Sequence, residues 1–163
     1  MDQRALTTFD VRDSIGVITI DNPPQNRLTD PVFIDPDLIQ RCSDDDGVRG
    51  IIFAGRGRHF SAGADMDSMR LIASDERRFM ARLNAGKALL DSIEALPIPT
   101  VAAIEGACFG GGLEIALACH IRVCARNALF AFPEVNHGLM PGMGTTSSTL
   151  TTVALNRSDS LNL

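Results

Sequence analysis

The sequence predicts one α/β domain with mostly parallel strands and glycine-rich loops at strand ends. Short β-branched runs recur along the chain with helical patterns between them, which is the order of an α/β fold with right-handed crossovers. Two of the runs leave into small-residue loops, Arg56 to Asp65 and Glu105 to Glu114. At the second, an apolar strand passes through three adjacent glycines into a helix. Ligands in such folds gather at the C-terminal ends of the strands, so these loops are where a site is expected.

A chain of 163 residues is long enough for one substantial core and too short for two ordinary domains. Hydrophobic residues make up 45% and charged residues 21%, which excludes a disordered chain. The net charge of −5 and the scattered basic residues exclude the stripe that tracks a nucleic-acid backbone. No apolar run reaches the length of a membrane span, and Met1-Asp2-Gln3-Arg4 lacks the pattern of a signal peptide. Cys42, Cys108, Cys119 and Cys124 form no Cys-x-x-Cys pair and lie mostly in apolar surroundings. They read as buried free thiols in a reducing, cytoplasmic setting rather than as zinc ligands or disulfides, and no metal site is expected.

Phe9 to Val11 and Ile15 to Ile20 read as two strands joined by a turn near Asp13-Ser14. Asp21 to Asn26, with two prolines, ends the strand structure. Thr29 to Cys42 is short and poorly patterned, with Pro31 and Pro36 limiting any helix, and Ser43 to Gly47 reads as a solvated turn. Val48 to Gly55 is a core strand. Arg56 and Arg58 beyond it could pair with phosphates or simply be solvated. From Ser74 to Ala95 the spacing of Phe79, Leu83, Leu90 and Ile93 predicts a helix, opened by Asp75-Glu76 and closed before Pro97. Thr100 to Ile104 and Ile121 to Ala125 are buried strands. Phe130 to Glu134 is a short extended piece, with a buried carboxylate plausible at Glu134, and Gly138 to Thr146 prepares a further helix start.

The glycine turn carries the chemistry. Three adjacent glycines leave backbone N–H groups unshielded, and the first turn of a helix has N–H groups without intrahelical partners. Such a turn can hold an anion or a developing oxyanion. Glu114 follows two residues after Gly112 inside an apolar helix, the position of an acid/base group beside that site. A tight helix–strand contact and a solvated glutamate would explain the same residues without chemistry.

Four motifs in register resemble the crotonase (enoyl-CoA hydratase/isomerase) superfamily: Phe60-Ser61-Ala62-Gly63-Ala64-Asp65, Ala107 to Glu114, Phe132-Pro133-Glu134, and Gly138-Leu139-Met140-Pro141-Gly142. Ala118 to Cys124 also looks like the hydratase module of bacterial multifunctional fatty-oxidation enzymes, and the likeness runs from about Ile15 to Gly144. It implies a spiral of ββα units and an acyl-coenzyme A thioester ligand, with coenzyme A as part of the substrate and no separate cofactor. By motif position, Ala62 and Gly111 would supply the two N–H groups of an oxyanion hole, and Glu114 and Glu134 the acid/base pair. Ala62, Gly63, Ala64, Asp65, Gly110, Gly111 and Gly142 would contact substrate, with Gly142 at a helix N-terminus facing the catalytic water.

Having both glutamates favours a hydratase forming a 3-hydroxyacyl-CoA. A double-bond isomerase, a thioester hydrolase and a non-catalytic acyl-CoA or partner-binding member are the alternatives. The family continues beyond the position of Leu163 into helices that complete the acyl pocket and build trimers. The expectation is therefore a single core domain over 1–163 without those helices, and a trimer or dimer of trimers where they are present.

Overall fold

A computed structural model describes residues 6–133 and 154–155 of the chain. β1 (Thr7–Arg12) and β2 (Ile15–Ile20) form an antiparallel hairpin. Its two turn residues, Asp13 and Ser14, both take positive φ (49° and 66°), as a two-residue turn that follows strand twist requires. β2 then pairs in parallel with β3 (Gly50–Gly55), β3 with β4 (Thr100–Ile104), β4 with β6 (Ile121–Cys124), and β6 with β8 (Ala154–Leu155). The strand order is β1-β2-β3-β4-β6-β8. A second, two-stranded parallel sheet joins β5 (Ala107–Phe109) to β7 (Leu129–Ala131).

The period-two pattern of the strands puts Ile18, Ile20, Ile51, Phe53, Ala102 and Ile104 in the core. Four helices appear among the described residues: α1 (Pro36–Asp44), α2 (Met66–Ala73), α3 (Glu76–Glu94) and α4 (Gly111–Ala118). α3 contributes Leu89, Leu90 and Ile93 to the core, and α4 contributes Ile115 and Ala116. Arg122, on β6, is 1% exposed, yet its Nη1 donates to the carbonyls of Ala116, Leu117 and Cys119 at 3.0, 3.3 and 2.6 Å. A buried cation thus satisfies the carbonyls at and just beyond the C-terminal end of α4, where the helix dipole favours positive charge.

The expected parallel α/β order is present, with four local differences. The segment expected to resist helix formation is α1. Pro36 occupies its first turn, where a missing N–H costs nothing, and Asp35 Oδ1 caps Asp37 N–H at 3.0 Å. Ile39 and Cys42, three apart, reach the core, so the helix runs to Asp44 through the start of the expected acidic turn. The predicted helix from Ser74 begins at Glu76, with Asp75 as its cap, and a separate helix, α2, precedes it. β5 stands between the β4 strand and the glycine turn, where no strand was expected.

Candidate active site

β3 delivers the chain into the loop from Arg56 to Asp65, and β4 leads through Glu105-Gly106 and β5 into α4. Backbone pairing holds these two arms together. Ser61 N–H donates to Ala107 O at 3.0 Å, and Phe109 N–H donates to Ser61 O at 2.9 Å. The fit leaves no room for side chains at two glycines. A Cβ on Gly63 would lie 2.7 Å from Phe109 O, and one on Gly112 would lie 2.7 Å from Ser61 Cβ and 2.8 Å from Ser61 O. Gly63 also has φ of +83°, which a residue with a Cβ rarely adopts.

The direction of two amides follows from their neighbours' bonds. Gly63 O accepts Leu28 N–H at 2.9 Å, and Asp65 N–H donates back to Leu28 O at 2.8 Å. A trans peptide unit points its C=O and N–H in opposite directions, so the Ala64 N–H is aimed away from Leu28. Ala64 is exposed, and among the described residues its N–H has no hydrogen-bond acceptor. Gly110 O likewise accepts Glu114 N–H at 2.9 Å inside α4, which sends the Gly111 N–H backward out of the helix's N-terminal end. Gly110 holds φ 49° and ψ −123° at the cap position with no side-chain cap bond, while its own N–H donates to Ala131 O at 2.9 Å. Two outward N–H groups, of Ala64 and Gly111, therefore leave arms that touch at Gly63 and Phe109-Gly110.

This revises the expected donor. The Ala62 N–H donates to Gln25 O at 2.9 Å and is not available to a ligand. The positive φ of Gly63 reverses the alternation of the strand, so the free donor falls two residues later, at Ala64. Asp65 is also engaged differently from expectation. It is the N-cap of α2, its Oδ1 accepting from Ser68 N–H at 2.9 Å and Ser68 Oγ at 2.8 Å. Those bonds hold its carboxyl below the ordinary aspartate range, the backbone one most strongly. Asp65 shapes the loop rather than presenting a free ligand group.

Glu114 lies in the first turn of α4, three residues after Gly111, and is 4% exposed. Glu134 and Gly142 lie outside the described residues. Arg56 Nε pairs with the buried Asp21 at 2.8 Å, while Arg58 is exposed.

Two residues with no role in the sequence reading hold the loop in place. Asn26 is fully buried at φ 51°, and its Nδ2 donates to the carbonyls of Arg56 and His59 at 2.9 and 2.6 Å. Ser61, also fully buried, donates Oγ–H to Asn26 O at 2.7 Å and accepts Gly63 N–H at 3.1 Å. A signal was present for Asn26, since asparagine after a Pro-Pro turn is a candidate for left-handed backbone. For Ser61 the bond to Gly63 is local, a hydroxyl accepting from the N–H two residues on, but the bond to Asn26 is remote in sequence and carries no local signal. All four cysteines are free and buried; burial pushes the thiols of Cys108 and Cys119 up to about 12. Among the described residues no cluster of His, Cys, Asp or Glu could hold a metal ion, and no helix is long and apolar enough to cross a membrane.

Comparison with known proteins places these loops in a family context. The family model described as enoyl-CoA hydratase/isomerase matches residues 10–160. A protein described as a probable enoyl-CoA hydratase from Bacillus subtilis (strain 168) is 42% identical over 133 residues, covering 81% of this chain and 51% of its own length. The fatty acid oxidation complex subunit alpha of Idiomarina loihiensis is 44% identical over 155 residues, covering 90% of this chain and 22% of its own length. The chain thus spans about half of the first relative and about a fifth of the second. Among solved structures, an enoyl-CoA hydratase from Polaromonas sp. JS666 superposes with a TM-score of 0.80 at 27% identity, over 87% of this chain and 56% of that one. Pseudomonas aeruginosa DspI gives 0.76 at 30%, over 91% and 61%.

Proposed function

The chain belongs to the enoyl-CoA hydratase/isomerase family, with the α/β crotonase-like fold, and from that membership we propose that it adds water to a trans-2-enoyl-CoA to give the 3-hydroxyacyl-CoA. The observation that supports this most is the pair of outward amides of Ala64 and Gly111 beside the buried Glu114. Water attacking the double bond of an enoyl thioester drives negative charge onto the thioester oxygen. Two fixed N–H donors aimed at that oxygen stabilise the charge more than they stabilise the ground state.

In this reading Ala64 and Gly111 form the oxyanion hole, Gly63 turns the loop so that the Ala64 N–H faces away from Leu28, and Gly110 stands at the cap of α4. Glu114 and Glu134 are the acid/base pair, one activating water and the other handling the proton at Cα. Gly142, outside the described residues, is assigned by motif position to the residues that contact substrate. Coenzyme A enters as part of the substrate, and no other cofactor takes part. The chain is one core domain over 1–163, acting in the cytoplasm, and a homotrimer or dimer of trimers is the assembly that goes with it.

The test follows the absorbance of the conjugated thioester of crotonyl-CoA with the 163-residue chain. Catalytic loss of that absorbance supports hydration. Conversion of a 3-enoyl-CoA into the conjugated isomer without hydration moves the reaction to the isomerases, and binding without turnover moves it to a non-catalytic acyl-CoA module.

A further inference from the structure

We propose that Ser61 is the positioning residue that sets the spacing of the two amides, acting on both arms at once. The inference rests on the oxyanion reading of Ala64 and Gly111 given above. On one arm, Ser61 Oγ accepts the Gly63 N–H at 3.1 Å and donates to Asn26 O at 2.7 Å. This fixes the peptide immediately before the one that carries the Ala64 N–H. On the other arm, Ser61 meets α4 where it begins. A Cβ on Gly112 would fall 2.7 Å from Ser61 Cβ and 3.0 Å from Ser61 Oγ, so the helix rests against this side chain with no gap. Ser61 N–H and C=O are meanwhile bonded to Ala107 O and Phe109 N–H of β5, the strand that leads into α4.

Ser61 is fully buried, so no water competes for its hydroxyl. Its role differs from that of a residue that merely fills space. Both partners of its hydroxyl belong to segments that fix the direction of the Ala64 amide. Asn26 stands two residues before Leu28, which takes the Gly63 carbonyl. Removing the hydroxyl leaves the Gly63 N–H and the Asn26 carbonyl in search of new partners, and the peptide between Gly63 and Ala64 is then held only through Leu28, so its direction is less firmly set. The amide it carries is the one aimed at the thioester oxygen. Gly111 keeps its direction, because α4 holds it independently.

The experiment uses the 163-residue chain, Ser61→Ala and Ser61→Cys, each checked for folding by circular dichroism. A cinnamoyl thioester of coenzyme A is the probe, since its conjugated absorption moves to longer wavelength as the thioester oxygen accepts stronger hydrogen bonds. The parent is expected to shift the bound probe. Ser61→Ala is expected to lose more than about half of that shift, and about ten-fold in kcat for crotonyl-CoA, with KM changed less than about two-fold. Ser61→Cys keeps a weak donor and acceptor at longer range and is expected to fall between the two, which keeps the comparison available when the alanine variant is unfolded. A variant that melts lower but shows the full shift and full kcat when folded overturns the positioning role alone. A parent that binds the probe without any shift overturns the oxyanion reading itself, and this inference with it.

Discussion

Gly63 O accepts the N–H of Leu28 at 2.9 Å, and that bond turns the following N–H, of Ala64, away from Leu28. The two residues are far apart in sequence, yet their pairing decides which amide of the Phe60 to Asp65 loop is free. Gly63 can make this bond only at φ +83°, with Phe109 O 2.7 Å from where its Cβ would be. Gly63→Ala is therefore expected to lose about 2 kcal/mol of stability from left-handed strain alone, before the clash is added. Urea unfolding reads the loss, and turnover should fall further than stability does. An alanine variant as stable as the parent would contradict the geometry.

Glu114 is 4% exposed in the first turn of α4. Glu114→Gln keeps the shape and removes the acid/base group, so kcat for enoyl-CoA hydration is expected to drop by about two to four orders of magnitude. The far-ultraviolet circular dichroism spectrum should be unchanged. Turnover at the parent's rate would remove Glu114 from the reaction.

The Asp65 cap makes a pH-dependent contribution whose sign is fixed. Its carboxyl is held below the ordinary range by the Ser68 N–H and hydroxyl, so the folded state favours the ionised form. The contribution is present in full above the unfolded pKa of about 4 and is lost as pH falls through the lower folded value. Asp65→Asn should leave one acceptor in place and remove the charge. The melting temperatures of parent and variant should differ by a constant amount above about pH 5 and converge as pH falls through the lowered folded value. A difference that grows in acid would have the wrong sign.

The thiols give a test of packing. Burial, and for Cys108 the neighbouring Cys119, push both groups up to about 12. Neither is appreciably a thiolate at pH 8, and neither is open to solvent, so alkylation by iodoacetamide should be slow in the folded protein. Adding urea should make all four cysteines react. Rapid labelling of Cys108 or Cys119 without denaturant would place them outside the core.

Much of the architecture is legible in the sequence because it is written locally. The β-branched run from Ile15 to Ile20 alternates as a half-covered strand must, and Asp13-Ser14 supplies its turn. The α3 helix is signalled by Asp75 at its start and by Leu90 and Ile93 on one face. Pro36 was misread because proline has two meanings in a helix: it disrupts the interior but suits the first turn. Only the position of Asp35 before it and of Ile39 and Cys42 after it separates the two cases. α2 is harder to see, since none of its residues is fully buried and its pattern carries no core stripe.

By itself, the sequence determined that a run of glycines would open a helix with Glu114 in its first turn. Spacing and residue type suffice for that, because a helix N-terminus is a local object. Only the tertiary structure decided which amide of the other loop faces outward. Ala62 and Ala64 are alike in the sequence, but Gln25 takes the N–H of one and Leu28, through Gly63, turns the other away. Peptide planarity transmits a remote hydrogen bond into the direction of a donor, and no local pattern encodes which remote bond forms.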